Sequence, residues 1–199
     1  MNSPIVAAVV LAAGGGRRYG MPKALVEYEG SLLVERAVRT ARQVCDPVLV
    51  VLGAQAVDVW RQADLDGATV LANKEWETGM ASSLRTGLDG LRGWPGRVEA
   101  ALITLVDMPG MTPEALRALA AHAAPDALAV ATYDGVRGHP VLLGREHWAG
   151  VVETATGDEG ARRYLAAHSV TGAVVEIDCT GLADPTDLDV PPPGVPSAP

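Results

Sequence analysis

Apolar and polar positions along the chain fall into short runs with two alternating periods. Ile5–Ala12 is an unbroken apolar run that ends on three glycines. A strand buried on both faces of a parallel sheet has this composition. Pro47–Leu52, Ala68–Ala72 and Ala100–Val106 read the same way, the last closed by Asp107 and Pro109. Leu128–Tyr133, Pro140–Leu143 and Ala173–Ile177 add three more predicted strands. Between these runs the apolar spacing changes to three and four. Leu32–Val44 sets Leu33, Ala37, Val38, Ala41 and Val44 on one side, which predicts a helix. Ala54–Ala63, Met80–Leu91, Pro113–Ala123 and Asp158–His168 are predicted helices as well. Pro113 suits a first helical position and Thr112 the cap before it.

Strands that alternate with helices specify βαβ units. The expectation is a single-domain, Rossmann-like α/β fold, its sheet mostly parallel and helices on both faces. Ligands in such sheets bind beyond the carboxyl ends of the strands. Two strand ends are marked by glycine or polar residues, after Ala12 and after Val106, and the chemistry is sought there. The domain is expected to span residues 1–191. Residues 192–199, rich in proline and small side chains, are expected to form a flexible tail that cannot bury apolar surface.

Composition narrows the function. The 199 residues suit one domain, and 48% hydrophobic with 20% charged residues is ordinary for a globular protein. The net charge of -8 and the lack of a basic run argue against a nucleic-acid partner. An anionic small ligand remains compatible, since a local cluster of cations can reverse the field in one cleft. Cys45 and Cys179 have neither CxxC spacing nor a nearby His pattern, so no zinc site is expected. The apolar N-terminal run lacks a basic segment before it, and no run of about 18 apolar residues could span a membrane. A cytoplasmic location follows as the expectation. Trp60, Trp94 and Trp148 are scattered and read as exposed.

The segment Leu11–Lys23 (LAAGGGRRYGMPK) carries the chemistry. Gly14, Gly15 and Gly16 leave backbone N–H groups unshielded, and a turn of such groups forms a nest for anionic oxygens. Arg17, Arg18 and Lys23 add positive charge. Two familiar phosphate loops do not fit. A dinucleotide fingerprint beginning at Gly14 needs glycine where Tyr19 stands, and a Walker loop needs GK followed by Ser or Thr, where Pro22, Lys23 and Ala24 stand. A Gly-rich βα turn with surface arginines is the plainer alternative at this point.

This string resembles the signature LAAGxSxRxGxxK of the MobA-like nucleotidyltransferases, with Gly16 in the Ser place. It is most similar to the branch of molybdenum cofactor cytidylyltransferases. The stretch Asn73–Gly87 (NKEWETGMASSLRTG) resembles that branch's NxxWxxGMxxSLxxG. Leu105–Pro109 looks like its aspartate-any-proline motif. Gly138-His139-Pro140-Val141 and Gly157–Arg162 look like its GHPV and GDxGAR, and Asp187–Pro191 like the start of its closing DIDTPEDL. After Pro191 the chain departs from the family, whose Glu-Asp-Leu helix is replaced by the Pro-rich tail.

The resemblance implies a fold of the nucleotide-diphospho-sugar transferase type. It implies a Mg²⁺-dependent enzyme that transfers CMP from CTP, or NMP from another NTP, to a phosphorylated acceptor, with molybdopterin as the acceptor and pyrophosphate released. A molybdenum hydroxylase is a possible recipient of the product. Arg18, Lys23 and Asp107 take the catalytic places: Arg18 grips the triphosphate, Lys23 lies near the α-phosphate, and Asp107 ligates Mg²⁺. Asp187 or Asp189 is the second metal ligand. Leu11, Ala12, Ala13, Gly14, Gly15, Gly16, Gly79 and Ser83 complete the nucleotide site, and Ala12-Ala13-Gly14 with Pro22 favours CTP over GTP. His139 and Arg162 face the acceptor, and Arg17 falls at a variable position.

Plainer roles stand beside these. Lys23 could be a solvated loop lysine. Asp187 and Asp189 could form a solvated acidic turn, and Ser82 and Ser83 could cap the Leu84–Leu91 helix. His139 could be a packed residue next to proline. Asp158 and Arg162, at i and i+4 of a predicted helix, could form an ordinary ion pair. Two rival functions also stand: transfer to a sugar or polyol phosphate, and a non-catalytic carrier of molybdenum cofactor, which the altered closing motif suggests.

Overall fold

The computed structural model describes residues 4–16 and 19–188. The described residues form nine strands and six helices. The strands are β1 (Ile5–Ala12), β2 (Glu27–Tyr28), β3 (Ser31–Leu32), β4 (Val48–Leu52), β5 (Thr69–Ala72), β6 (Val98–Leu105), β7 (Leu128–Tyr133), β8 (Val136–Gly144) and β9 (Val174–Asp178). The helices are α1 (Leu33–Arg42), α2 (Ala56–Gln62), α3 (Met80–Arg92), α4 (Pro113–Ala120), α5 (Trp148–Thr154) and α6 (Arg162–Ser169). Seven strands form one sheet in the order β5-β4-β1-β6-β8-β7-β9, and β2 and β3 form a separate hairpin. Within the described seven-stranded sheet β8 runs against the other strands: it is antiparallel to β6 and β7, while the other pairings of that sheet are parallel.

The apolar runs are buried on both faces, as their composition predicts. In β1 the side chains of Ala8, Val10 and Ala12 join one core, and those of Ala7, Val9 and Leu11 join the other. The first core lies under α1 and α4 and the second under α3, α5 and α6. Gly87 lets α3 lie close to the sheet, because a Cβ there would run into the side chain of Val9.

Several predicted boundaries change. The Asp158–His168 segment becomes helical only at Arg162, since Gly157 and Gly160 take φ of 49° and 54° in the turn before it. The short strand predicted at Pro140–Leu143 is the buried half of the longer β8. It turns back from β7 through Asp134 and Gly135, with φ of 49° and 79°. Helix α5 has no counterpart in the predicted elements. Trp148, expected at the surface, is 5% exposed and donates its indole N–H to the Leu143 carbonyl at 2.8 Å. Trp60 is exposed and Trp94 half-buried. The expected cap at Thr112 is present: its hydroxyl accepts from Ala115 N–H at 3.3 Å, with Pro113 next to it. Among the described residues no helix is long and apolar enough to cross a membrane.

Candidate active site

Glycines and backbone bonds shape the loop after β1. Gly16 has φ of 59°, and a Cβ there would collide with the Met21 carbonyl. Its own carbonyl accepts from Tyr19 and Gly20 N–H, both at 2.8 Å. The chain returns through a 3-10 turn, Lys23–Leu25, pinned by the fully buried Ala24. That turn sets Lys23 over the end of β6. One bond beyond the strands, Val106 N–H donates to the Leu11 carbonyl at 3.1 Å and holds the two strand ends together. Lys23 Nζ and Asp107 Oδ2 then meet at 2.7 Å, with side chains 17% and 21% exposed.

This pair borders a cavity of about 390 Å³. Leu11, Ala13, Gly14, Gly15, Gly16, Gly79 and Ser83 line it, together with Trp76, Met80 and Asp158, whose places at the cavity sequence reading missed. Trp76 was legible inside the Asn73–Gly87 stretch. Its ring lies against the glycine loop, where a Cβ on Gly15 would stand 3.0 Å away. Ala12 does not line the cavity: it is 2% exposed and packs into the core with α1. Ser82 and Ser83 do not cap α3 either. The cap is Gly79, with φ of 109°, and both serines lie inside the first turn and a half. Arg17, Arg18 and Asp189 lie outside the described residues.

A second cavity of about 180 Å³ adjoins the first. The two share Leu11, Met80 and Asp158 as wall residues. His139 and Arg162 both line the second cavity, with Arg137 and an apolar floor that includes Leu84, Ile103 and Val141. His139 is held well below the ordinary histidine range, at about 4. Burial is the main cause, and the Arg162 guanidinium adds to it against the opposing Asp107 carboxylate. His139 is therefore neutral at pH 7, and the positive charge on the second cavity's wall comes from Arg137 and Arg162. No ion pair joins Asp158 to Arg162, contrary to the i, i+4 expectation. Asp158 Oδ1 instead accepts from Met80 N–H at 3.2 Å, and the Gly157 carbonyl accepts from Ala81 N–H at 2.9 Å.

The closing segment is tied down more firmly than its altered motif suggests. Thr112 Oγ1 donates to the Leu182 carbonyl at 2.7 Å. Asp184 N–H donates to Gly110 at 3.1 Å, and Leu188 N–H donates to the Asp107 carbonyl at 2.8 Å. Asp187 is thus next in sequence to a residue bonded to Asp107. Among the described residues no three His, Cys, Asp or Glu side chains converge as a ready metal cage. Mg²⁺ does not require one: it takes one or two carboxylates and completes its octahedron with water and substrate phosphates. An oxygen-only donor set of this kind fits a hard divalent ion such as Mg²⁺ or Mn²⁺.

Cavity and sheet together define the class, an α/β domain with a ligand cleft at the carboxyl ends of its strands. The match of residues 8–172 to the MobA-like NTP transferase domain then gives the family, and the chain belongs to it. The chain is 34% identical over 195 residues to the nicotine blue oxidoreductase of Paenarthrobacter nicotinovorans, covering 94% of this chain and 93% of that one. It is 30% identical over 202 residues to the purine catabolism protein PucB of Bacillus subtilis (strain 168), covering 96% and 95%. Identity to the molybdenum cofactor cytidylyltransferase of Escherichia coli (strain K12) is 22% over 138 residues, 69% of each chain. Among solved structures, the Mycobacterium tuberculosis rv0371c homolog from mycobacterium sp. strain JC1 superposes with a TM-score of 0.79 at 30% identity, covering 93% and 90%. Rv0371C in complex with manganese, from M. tuberculosis H37Rv, gives 0.72 at 26% identity, covering 93% of each chain.

Proposed function

We propose that the protein transfers CMP from CTP to the phosphate of molybdopterin or a closely similar cofactor. The observation that carries this reading is the Lys23–Asp107 pair on the wall of a nucleotide-sized cavity, which adjoins a second cavity furnished with Arg162 and His139. The first cavity receives the triphosphate on the N–H groups of Gly14–Gly16. Lys23, with Arg18, offsets the charge that builds on the α-phosphate. An acceptor phosphate oxygen, held by Arg162, attacks the α-phosphorus. The new P–O bond forms as the bond to the bridging oxygen breaks and pyrophosphate leaves. Both reactants are anions, so positioning and charge stabilisation make up most of the catalysis. Asp107, with Asp187 or Asp189, would hold Mg²⁺, which when bound neutralises phosphate oxygens and the leaving pyrophosphate. The manganese complex of Rv0371C supports a divalent ion in this fold.

The test is pyrophosphate release from Mg-CTP with purified molybdenum cofactor, with GTP and a panel of sugar and polyol phosphates as comparisons. Release with CTP and cofactor alone supports the reading. Release only with a sugar or polyol phosphate moves the acceptor, and no release with any pair sinks the transferase assignment. One observation favours a second reading. End-to-end likeness to a protein named nicotine blue oxidoreductase makes an oxidoreductase acting on a related compound the second reading. A redox change of nicotine blue catalysed by this protein, without pyrophosphate release from any NTP and acceptor pair, would decide for it.

A further inference from the structure

Asn73 is a polar side chain in a closed place. It is 5% exposed, just past the end of β5, and its carboxamide is fully used. Oδ1 accepts from Glu75 N–H at 2.8 Å. Nδ2 donates to Ser82 Oγ at 2.8 Å and to Ser83 Oγ at 3.0 Å. The orientation is forced, because turning the amide over would set its NH₂ against the Glu75 N–H, donor on donor.

The two serines are alike in sequence and unlike in bonding. Ser82 Oγ accepts from Asn73 and has carbonyls to donate to, Gly79 at 2.8 Å and Glu75 at 3.0 Å. Its proton is spent inside the loop, and it does not line the nucleotide cavity. Ser83 Oγ accepts from Asn73, and no protein acceptor for its proton is present among the described residues. Ser83 lines the cavity although it is only 4% exposed. A hydroxyl has one proton to give, and Asn73 already occupies a lone pair. Among the described residues Trp76, Gly79 and Met80, which line the cavity with Ser83, bring no cation, whereas Lys23 lies with the glycine loop.

We propose that Asn73 is a positioning residue: it fixes the Ser83 hydroxyl as a hydrogen-bond donor into the nucleotide cavity, matched to a carbonyl oxygen on a pyrimidine base. The inference rests on the nucleotide reading of that cavity and adds the polarity of its base contact. Asn73 itself touches no substrate. A base offering only N–H at that point meets a second donor and is disfavoured.

The experiment measures Mg-CTP binding by calorimetry for wild type, Asn73→Asp, Ser83→Ala and the double variant. The introduced carboxylate keeps the bond to Glu75 N–H but only accepts, so it draws the Ser83 proton towards itself. Each single change should weaken binding about 10-fold, and the double variant should bind no more than about 2-fold more weakly than Ser83→Ala alone. A general effect of the new charge, or a merely structural role for Asn73, would cost the same factor in both backgrounds, and that additive result overturns the proposal. If Asn73→Asp does not fold, wild type and Ser83→Ala are compared on CTP and an analogue whose base lacks the 2-carbonyl. Wild type should discriminate between the two and Ser83→Ala should not; equal binding by wild type overturns the proposal. Wild type that binds no nucleotide at all sinks the nucleotide reading first, and this inference with it.

Discussion

Replacing Asp107 by Asn separates its two tasks. In the structure its carboxylate is 2.7 Å from the Lys23 ammonium, and both side chains are about one-fifth exposed. Asparagine keeps the shape and removes the charge. A unit negative charge about 5 Å from a triphosphate, at an effective dielectric of roughly 40, repels it by about 1.6 kcal/mol. Metal-free CTP should therefore bind about 10-fold more tightly to Asp107→Asn. Turnover should move the other way. Loss of the proposed ligand to the ion that offsets charge developing in the transition state should cost about 10²–10³-fold in rate. Stability should fall by only about 1 kcal/mol, since Lys23 takes part in a further interaction besides this pair. CTP affinity with and without Mg²⁺, measured by calorimetry beside pyrophosphate release, reads both arms. Turnover within threefold of wild type and unchanged metal-free affinity would refute the reasoning and leave Asp107 as a structural partner of Lys23.

Three further changes test the frame around the site. His139 has a folded pKa of about 4, below its ordinary 6.5, so the unfolded chain takes up the proton first. Stability should be full above pH 6.5 and fall by about 2 kcal/mol by pH 5. His139→Gln should flatten that slope in thermal melts across this range. Gly53→Ala places a Cβ 2.5 Å from Trp76 Cβ and 2.7 Å from the Ala13 carbonyl oxygen. It should cost about 1–3 kcal/mol by overpacking and weaken CTP binding, whereas wild-type affinity would mean that Trp76 does not support the phosphate loop. Trp148→Phe loses the indole bond to Leu143 and should cost about 2 kcal/mol in urea unfolding while leaving the KM for CTP unchanged.

The parts of the fold that were legible are those where local pattern and tertiary role coincide. Runs such as Ile5–Ala12 are apolar throughout because both faces are covered, so the sequence shows burial and strand together. The glycine loop was legible for the same reason, since the positive φ of Gly16 and its contact with the Met21 carbonyl both demand glycine. Helix α5 was not. Its sequence, WAGVVET, holds a glycine and three β-branched residues, and it owes its place to packing: a Cβ on Gly150 would press on the Tyr164 ring at 2.5 Å. The reversal of β8 had a local signal, the Asp134-Gly135 pair that favours a tight hairpin, and overlooking it shortened the strand. At the site, Lys23 and Asp107 stand 84 positions apart, and motif resemblance named both. The donor and acceptor roles of Asn73, Ser82 and Ser83 were invisible, because direction in a hydrogen-bond network depends on which carbonyls are near.

The arrangement also explains why the two cavities belong to one machine. The segment Gly157–Arg162 supplies Arg162 to the second cavity and, through the Gly157 carbonyl and the Asp158 carboxylate, closes the N-terminus of α3. That same helix end carries Met80 and Ser83 into the first cavity. A carboxylate at a helix N-terminus is favourable both for the orphan N–H groups and for the dipole. The piece of chain that lines the second cavity is therefore also the cap of the helix end that lines the first. A shift of either wall would change hydrogen bonds at the other. In the proposed transfer between two anions, where misplacement by about 1 Å can cost 10²-fold, this shared wall would keep donor and acceptor in register.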